Sequence, residues 1–150
     1  MGSGTKERAA LRSVQISAKL AGVLNPSRLN MPTTPQRILV VEPNVRRRLT
    51  LQRALSAVAE VTACGDFQTA RQHILAMAPD LLITNLRLRA YNGLHLMALA
   101  GAPTRAIVCM DPPDPALARA ARAAGALVET PQRLAATAVS RIIAVQRRES

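Results

Sequence analysis

A chain of 150 residues is long enough to bury one proper core and too short for two independent ones. Its apolar share of 49% is that of a globular protein, but with one Phe, one Tyr and no Trp the core must be built from Leu, Val, Ile, Ala and Met. Twenty Lys and Arg against nine Asp and Glu give a formal charge of +11, which favours nucleic acid or acidic partners, while the scarcity of aromatic rings speaks against base stacking.

Residues 1–36 stand apart from the pattern that follows. Gly2-Ser3-Gly4 has the composition of an expression scar, and residues 6–24 have helical spacing, with Leu11, Val14, Ala18 and Ala21 set among Lys6, Arg8, Arg12 and Lys19. Asn25-Pro26-Ser27 would end such a helix, and Met31-Pro32-Thr33-Thr34-Pro35-Gln36 reads as the leader of a domain. The segment is therefore assigned as an N-terminal extension: disordered, an accessory or docking helix, or an artefact upstream of the true start. Residues 37–150 form the domain. A chain beginning at Met31 is expected to melt as the full chain does.

From Arg37 the sequence alternates strand and helix five times, the pattern of an α/β domain with a parallel sheet covered on both faces. The first strand, Arg37 to Glu42, is apolar nearly throughout, as a central strand should be. Asn44 is placed to cap a helix that turns Val45, Leu49, Leu51, Leu55 and Val58 inward and leaves Arg46, Arg47, Arg48 and Arg53 largely in water. Glu60 to Cys64 make the second strand, and Asp66 caps a helix with Phe67, Ala70, Ile74 and Met77 on one face. Leu81 to Asn85 form the third strand, followed by a loop and a helix from near Asn92 to Gly101. Arg105 to Met110 give the fourth strand, Pro115 to Ala124 its helix and Ala126 to Glu129 the fifth strand. The last helix starts at Pro131 and ends near Arg147-Arg148, where cations complement the helix dipole. No apolar run approaches the ~20 residues needed to span a bilayer.

The strand Arg37-Ile38-Leu39-Val40-Val41-Glu42, the strand Leu81-Leu82-Ile83-Thr84-Asn85 with its exit loop, and the two later strand ends agree in order and spacing with one family. Over residues 37 to about 146 the chain resembles the receiver domain of bacterial response regulators. The resemblance implies a (βα)5 doubly wound five-stranded parallel sheet of the flavodoxin-like type, strand order 2-1-3-4-5. In that order the strands carrying Cys64 and Cys109 lie three spacings apart, about 14 Å at roughly 4.8 Å each, which forbids a disulfide. Both are expected to be buried thiols of a reducing cytoplasm.

The resemblance also locates a phosphoacceptor pocket, and there the chain departs from its family at five positions while keeping one acid, Glu42. The third strand of a receiver ends in the aspartate that takes phosphate; this chain has Asn85, and a neutral carboxamide is a poor nucleophile with no charge for a metal. Two adjacent acids normally end the first strand, and here stand Glu42 and Pro43. The hydroxyl residue after strand four is replaced by Met110, the lysine before the last proline by Thr130, and the aromatic switch of strand five by Leu127. Asp111 is the one nearby acid that could make up a Mg²⁺ set, although helix capping or solvation is its ordinary role. Arg87 or Arg89 could supply a cation to Glu42 in place of the metal, or both could be solvated loop charges. His73 and His95 have no partner at ligand spacing, Asn92-Gly93 reads as a turn, and Met97 and Met110 as core fillers. Prolines 112, 113 and 115 stiffen the loop after strand four.

These residues lead to an expected pseudo-receiver, not an enzyme, with no catalytic residue, metal or cofactor. It would act in a two-component type of pathway by binding a protein partner or a second copy. By analogy with the family, the binding face is built from the fourth helix, fifth strand and fifth helix, and presents Leu117, Arg119, Arg122, Leu127 and Val128. Two other readings are a basic nucleic-acid-associated protein, for which no motif is present, and an atypical receiver phosphorylated on another carboxylate.

Overall fold

The computed structural model describes residues 36–148, so the extension assigned to residues 1–36 lies outside the described residues except for Gln36. Residues up to Ser140 form one compact unit, and the end of the last helix, from Arg141, belongs to a second. In chain order the elements are β1 (Arg37–Val41), α1 (Val45–Ser56), β2 (Glu60–Cys64), α2 (Phe67–Met77), β3 (Leu81–Asn85), β4 (Arg87–Leu88), β5 (Tyr91–Asn92), α3 (Gly93–Ala100), β6 (Arg105–Cys109), α4 (Pro115–Ala123), β7 (Leu127–Glu129) and α5 (Pro131–Arg148).

The five long-range strands pair in parallel in the order β2-β1-β3-β6-β7, the doubly wound order expected from the sequence. The composition of β1 explains its central place. Ile38, Leu39, Val40 and Val41 are all fully buried, so every side chain of the strand needs a covered face, which an edge position cannot provide. Leu39 and Val41 point into a cluster with Ala70, Ile74, Leu82, Leu88 and Leu96 under α2 and α3. Leu86, Val108, Met110, Ala118, Ala121 and Ala126 pack together under α4. Cys64 and Cys109 are free and buried on strands three places apart, as that order requires.

Local signals set most boundaries. Asn44, Asp66, Asn92 and Asp114 each accept backbone N–H bonds at the start of a helix, at 2.8–3.1 Å. Gly125, at φ 93°, turns the chain out of α4 in a conformation that side chains rarely adopt.

Several details differ from the sequence reading. In α1 only Leu51 and Leu55 are buried, whereas Val45 and Leu49 are 56% and 43% exposed, because the helix rests on β1 and β2 along a narrow stripe. The loop after β3 contains a two-residue antiparallel hairpin, β4 with β5, pairing Arg87 with Asn92 and Leu88 with Tyr91. Arg89 makes the tight turn at φ 58°. β1, β6 and β7 are each one residue shorter than read, with Glu42, Met110 and Ala126 just beyond their ends.

Candidate functional site: a closed carboxyl-end crevice

Winding reverses between β1 and β3, and there the carboxyl ends of the strands open a crevice. The register pairs Val41 with Thr84, so the next residues, Glu42 and Asn85, emerge side by side. Asn85 in turn pairs with Cys109, which brings Met110 and Asp111 to the same end of the sheet.

Backbone geometry decides which way the Asn85 amide points. Its Oδ1 accepts the N–H of Arg87 at 2.9 Å, a donor that only an oxygen can satisfy. The NH₂ group is thereby aimed at Glu42, donating to Oε2 at 3.1 Å. The other Glu42 oxygen accepts the N–H of Asn44 at 2.8 Å. Glu42 is only 2% exposed, and both its oxygens have donors. A buried carboxylate is tolerable on those terms, and the amide at position 85 makes the pairing possible, because a second carboxylate would offer repulsion instead of a proton.

The arginines of α1 complete the closure. Arg47 Nη2 pairs with Asp111 Oδ2 at 3.0 Å, and Arg48 Nη1 donates to the backbone carbonyl of Glu42 at 2.9 Å. Arg48 is half-buried, against the solvated place that helical periodicity assigned it, whereas the Arg47 side chain keeps 39% exposure in its pair with Asp111. Gly65 leaves the space that the Arg48 guanidinium fills; a Cβ there would collide with it. Arg87 and Arg89 are exposed and bond neither oxygen of Glu42, whose partners are amide groups.

A divalent cation does not fit this arrangement. The acids nearest the crevice are Glu42, with N–H donors on both oxygens, and Asp111, held by a guanidinium. A cation placed at either would face donor hydrogens already in position. Among the described residues no cluster of three or more ligating side chains occurs, which includes His73 and His95.

Of the other positions that sequence reasoning singled out, Pro43 is half-buried between Glu42 and the Asn44 cap, and Met110 is 4% exposed within the cluster under α4. Thr130 is exposed and offers its carbonyl to the N–H groups of Arg133 and Leu134, opening α5. Arg119 and Arg122 are exposed on α4, and Leu127 is 36% exposed on β7. Leu117 and Val128 are half-buried and rest against the α4 cluster, so less of each is available to a partner.

Sequence reasoning passed over three contributors: Arg47, Arg48 and Gly93. The first two stand five and six residues after Glu42, a spacing that brings the first turn of α1 back over the strand end. Gly93 is buried where a Cβ would lie 2.6 Å from the Asn85 carbonyl oxygen, so α3 can approach the crevice only without a side chain there. A cavity of about 380 Å³ lies at the opposite end of β3 and β6, lined by Leu82, Met97, Ala106 and Gly125 among others, and has no part in this site.

No protein-family model matches the sequence, and no curated protein matches it. Solved structures do. The chain is similar to a CheY-like response regulator receiver domain from Methanospirillum hungatei, at 17% identity, covering 78% of this chain and 100% of that one with a TM-score of 0.65. It is similar to the response regulator domain of Thermotoga maritima CheB, at 20% identity over 75% of this chain and 96% of that one, TM-score 0.63. The N-terminal domain of an uncharacterized protein from Wolinella succinogenes is another such structure, at 24% identity over 78% and 100%, TM-score 0.64. At these identities the likeness is one of fold: residues 36–140 have the flavodoxin-like α/β architecture of receiver domains.

Proposed function

We propose that this chain is a phosphorylation-independent pseudo-receiver, a signalling module of the two-component type that works by binding other proteins, without catalysis, metal or cofactor. The observation that supports this most is the 3.1 Å bond from the Asn85 amide to Glu42. It occupies the position of the phosphoacceptor with a group that cannot form an acyl phosphate, and it uses the remaining acid as its acceptor. The Arg47–Asp111 pair and Arg48 supply fixed cations where a working receiver would take a metal ion. The solved receiver domains to which the fold is similar bear response-regulator and chemotaxis names, and they support a signalling role in a bacterial cytoplasm.

The face we assign to the partner, or to a second copy, is that of α4, β7 and α5, with Arg119, Arg122 and Leu127 the exposed members. Incubation with acetyl phosphate and Mg²⁺ tests the reading directly. The intact mass should not change, and a hydroxylamine-labile adduct of one phosphoryl group would return the chain to the phosphorylated receivers, on another carboxylate.

A further inference from the structure

Among the described residues arginines outnumber acids, and most arginines have no ion-pair partner. Fifteen Arg stand against seven Asp and Glu between residues 36 and 148. Six of the seven acids accept hydrogen bonds from the protein: Glu42, Asp66, Asp80, Asp111, Asp114 and Glu129. Only Arg47 and Arg133 form ion pairs among the described residues. Fifteen against seven leaves the described residues a net +8, and the natural complement of that charge is a polyanion.

One corner combines this field with a flat ring. Phe67, at the start of α2, packs on the core cluster with its inner side, and Tyr91 of the hairpin stacks on it with ring centroids 4.2 Å apart and planes 8° from parallel. Gln68 Nε2 donates to the Tyr91 hydroxyl at 3.3 Å and fixes the ring further. Tyr91 is nonetheless 43% exposed, so with one face on Phe67 its other face is open to solvent. Arg89 is exposed in the turn of the same hairpin, within electrostatic reach of Asp66, and Arg71, also exposed, lies one turn along α2 from Phe67, whereas Arg87 pairs with Asn92 and projects from the hairpin face opposite Tyr91. A ring held against the core with one face free, carried on elements that also bear exposed arginines, is a construction that can stack a base while phosphates are neutralised alongside. An acidic peptide would satisfy the arginines but would make no use of the plane.

We infer that the hairpin Arg87–Asn92 and the start of α2 form a single-stranded nucleic-acid contact, with Tyr91 as the stacking platform and Arg71 and Arg89 as phosphate partners. The hairpin adjoins the crevice through the Arg87 N–H bond to Asn85, but the side chains of this surface are neither those of the crevice nor those assigned on the α4 face, so the inference stands independently of the proposed signalling role. Two aromatic residues in the whole sequence argued against stacking; their placement on one another at the surface reverses that argument.

The experiment measures the full chain by fluorescence anisotropy against a labelled fifteen-nucleotide oligothymidine, its abasic counterpart and a polyglutamate of equal length. Oligothymidine should bind roughly tenfold more tightly than the abasic chain, the usual size of one stacked base. Tyr91→Leu should abolish that difference, and Tyr91→Phe should keep it. Arg71→Gln with Arg89→Gln should lower the salt slope of log K by about 1.4 in magnitude, at about 0.7 for each lost phosphate contact. Because Tyr91 is the sole tyrosine and there is no Trp, its emission also reports the contact in the unmutated protein and should be quenched by oligothymidine and not by polyglutamate. Equal affinity for the abasic chain, polyglutamate binding as tightly as oligothymidine, no binding at low salt, or Tyr91 emission that ignores the oligonucleotide would each overturn the inference.

Discussion

Asn85 and Glu42 form a matched donor and acceptor, and replacing either one exposes what the match contributes. Asn85→Asp removes the NH₂ donor and sets a carboxylate against Glu42 at the place of the present 3.1 Å bond. The variant should lose about 2 kcal/mol in urea unfolding, the usual consequence of leaving a buried charged group facing a like charge. It should also fail to take phosphate from acetyl phosphate, because Met110 and Thr130 still supply neither hydroxyl at strand four nor ammonium, and Pro43 no second acid. Efficient labelling of that single variant would show that these other losses matter little. Glu42→Gln keeps an acceptor for Asn44 but turns an NH₂ toward the Asn85 NH₂, so it should cost stability while leaving partner binding intact.

Helix ends govern behaviour at the scale of elements. Gly93 opens α3 against the backbone of Asn85, and the atom that a new Cβ would meet is a carbonyl oxygen of β3, which cannot swing aside. Gly93→Ala should therefore destabilise by about 1–3 kcal/mol in chemical denaturation, as overpacking against fixed atoms does. At α2 the cap has a pH signature. Hydrogen bonds from the Thr69 N–H and hydroxyl hold the Asp66 carboxyl below its ordinary value of 3.8. A folded-state value below the unfolded one contributes stability that is present above the unfolded value and lost as pH falls through the folded one. Asp66→Asn keeps an acceptor at the cap and removes the titration. Its stability should run parallel to that of the unmutated chain near neutral pH, and the two curves should converge below about pH 4.

At the scale of the whole molecule, two consequences separate surface from core. Burial pushes the Cys64 thiol up to about 11 from an ordinary 9.0, and Cys109 to about 11, helped by the charge of Glu42. Here the folded state favours the protonated form, so the contribution is complete below pH 9 and is lost as pH rises through 11. The native chain should resist an aromatic disulfide reagent at pH 8 and react fully only when unfolded. Fast labelling of either thiol in the native state would contradict the observed burial. Charge reversal at Arg119 or Arg122 touches only an exposed helix face and should alter stability by at most ~0.5 kcal/mol. Either reversal should weaken association with a partner or second copy in a pull-down or sedimentation measurement. If Glu42→Gln abolishes association while both reversals are silent, the crevice is the working surface.

The order of elements, the central place of β1 and the caps Asn44 and Asp66 could be read from the sequence because they depend on short-range chemistry. An apolar run needs two covered faces, and an Asn or Asp before a helix satisfies N–H groups within three residues. The amide at position 85 was equally legible, since residue type alone gives it, and the proposed loss of a phosphoacceptor rests on it. What that amide pairs with was not. That Asn85 donates to Glu42, that Arg47 reaches Asp111, 64 residues away, and that Arg48 covers the end of β1 depend on which strand ends the sheet makes neighbours. Helical spacing put those arginines in water because it knows only a helix and its own core face. The Phe67–Tyr91 stack, with partners 24 residues apart, likewise exists only once the hairpin has folded back on α2. Sequence determined the scaffold and the residue types at the strand ends, and tertiary packing decided which side chains meet, because charges and rings find their partners through space.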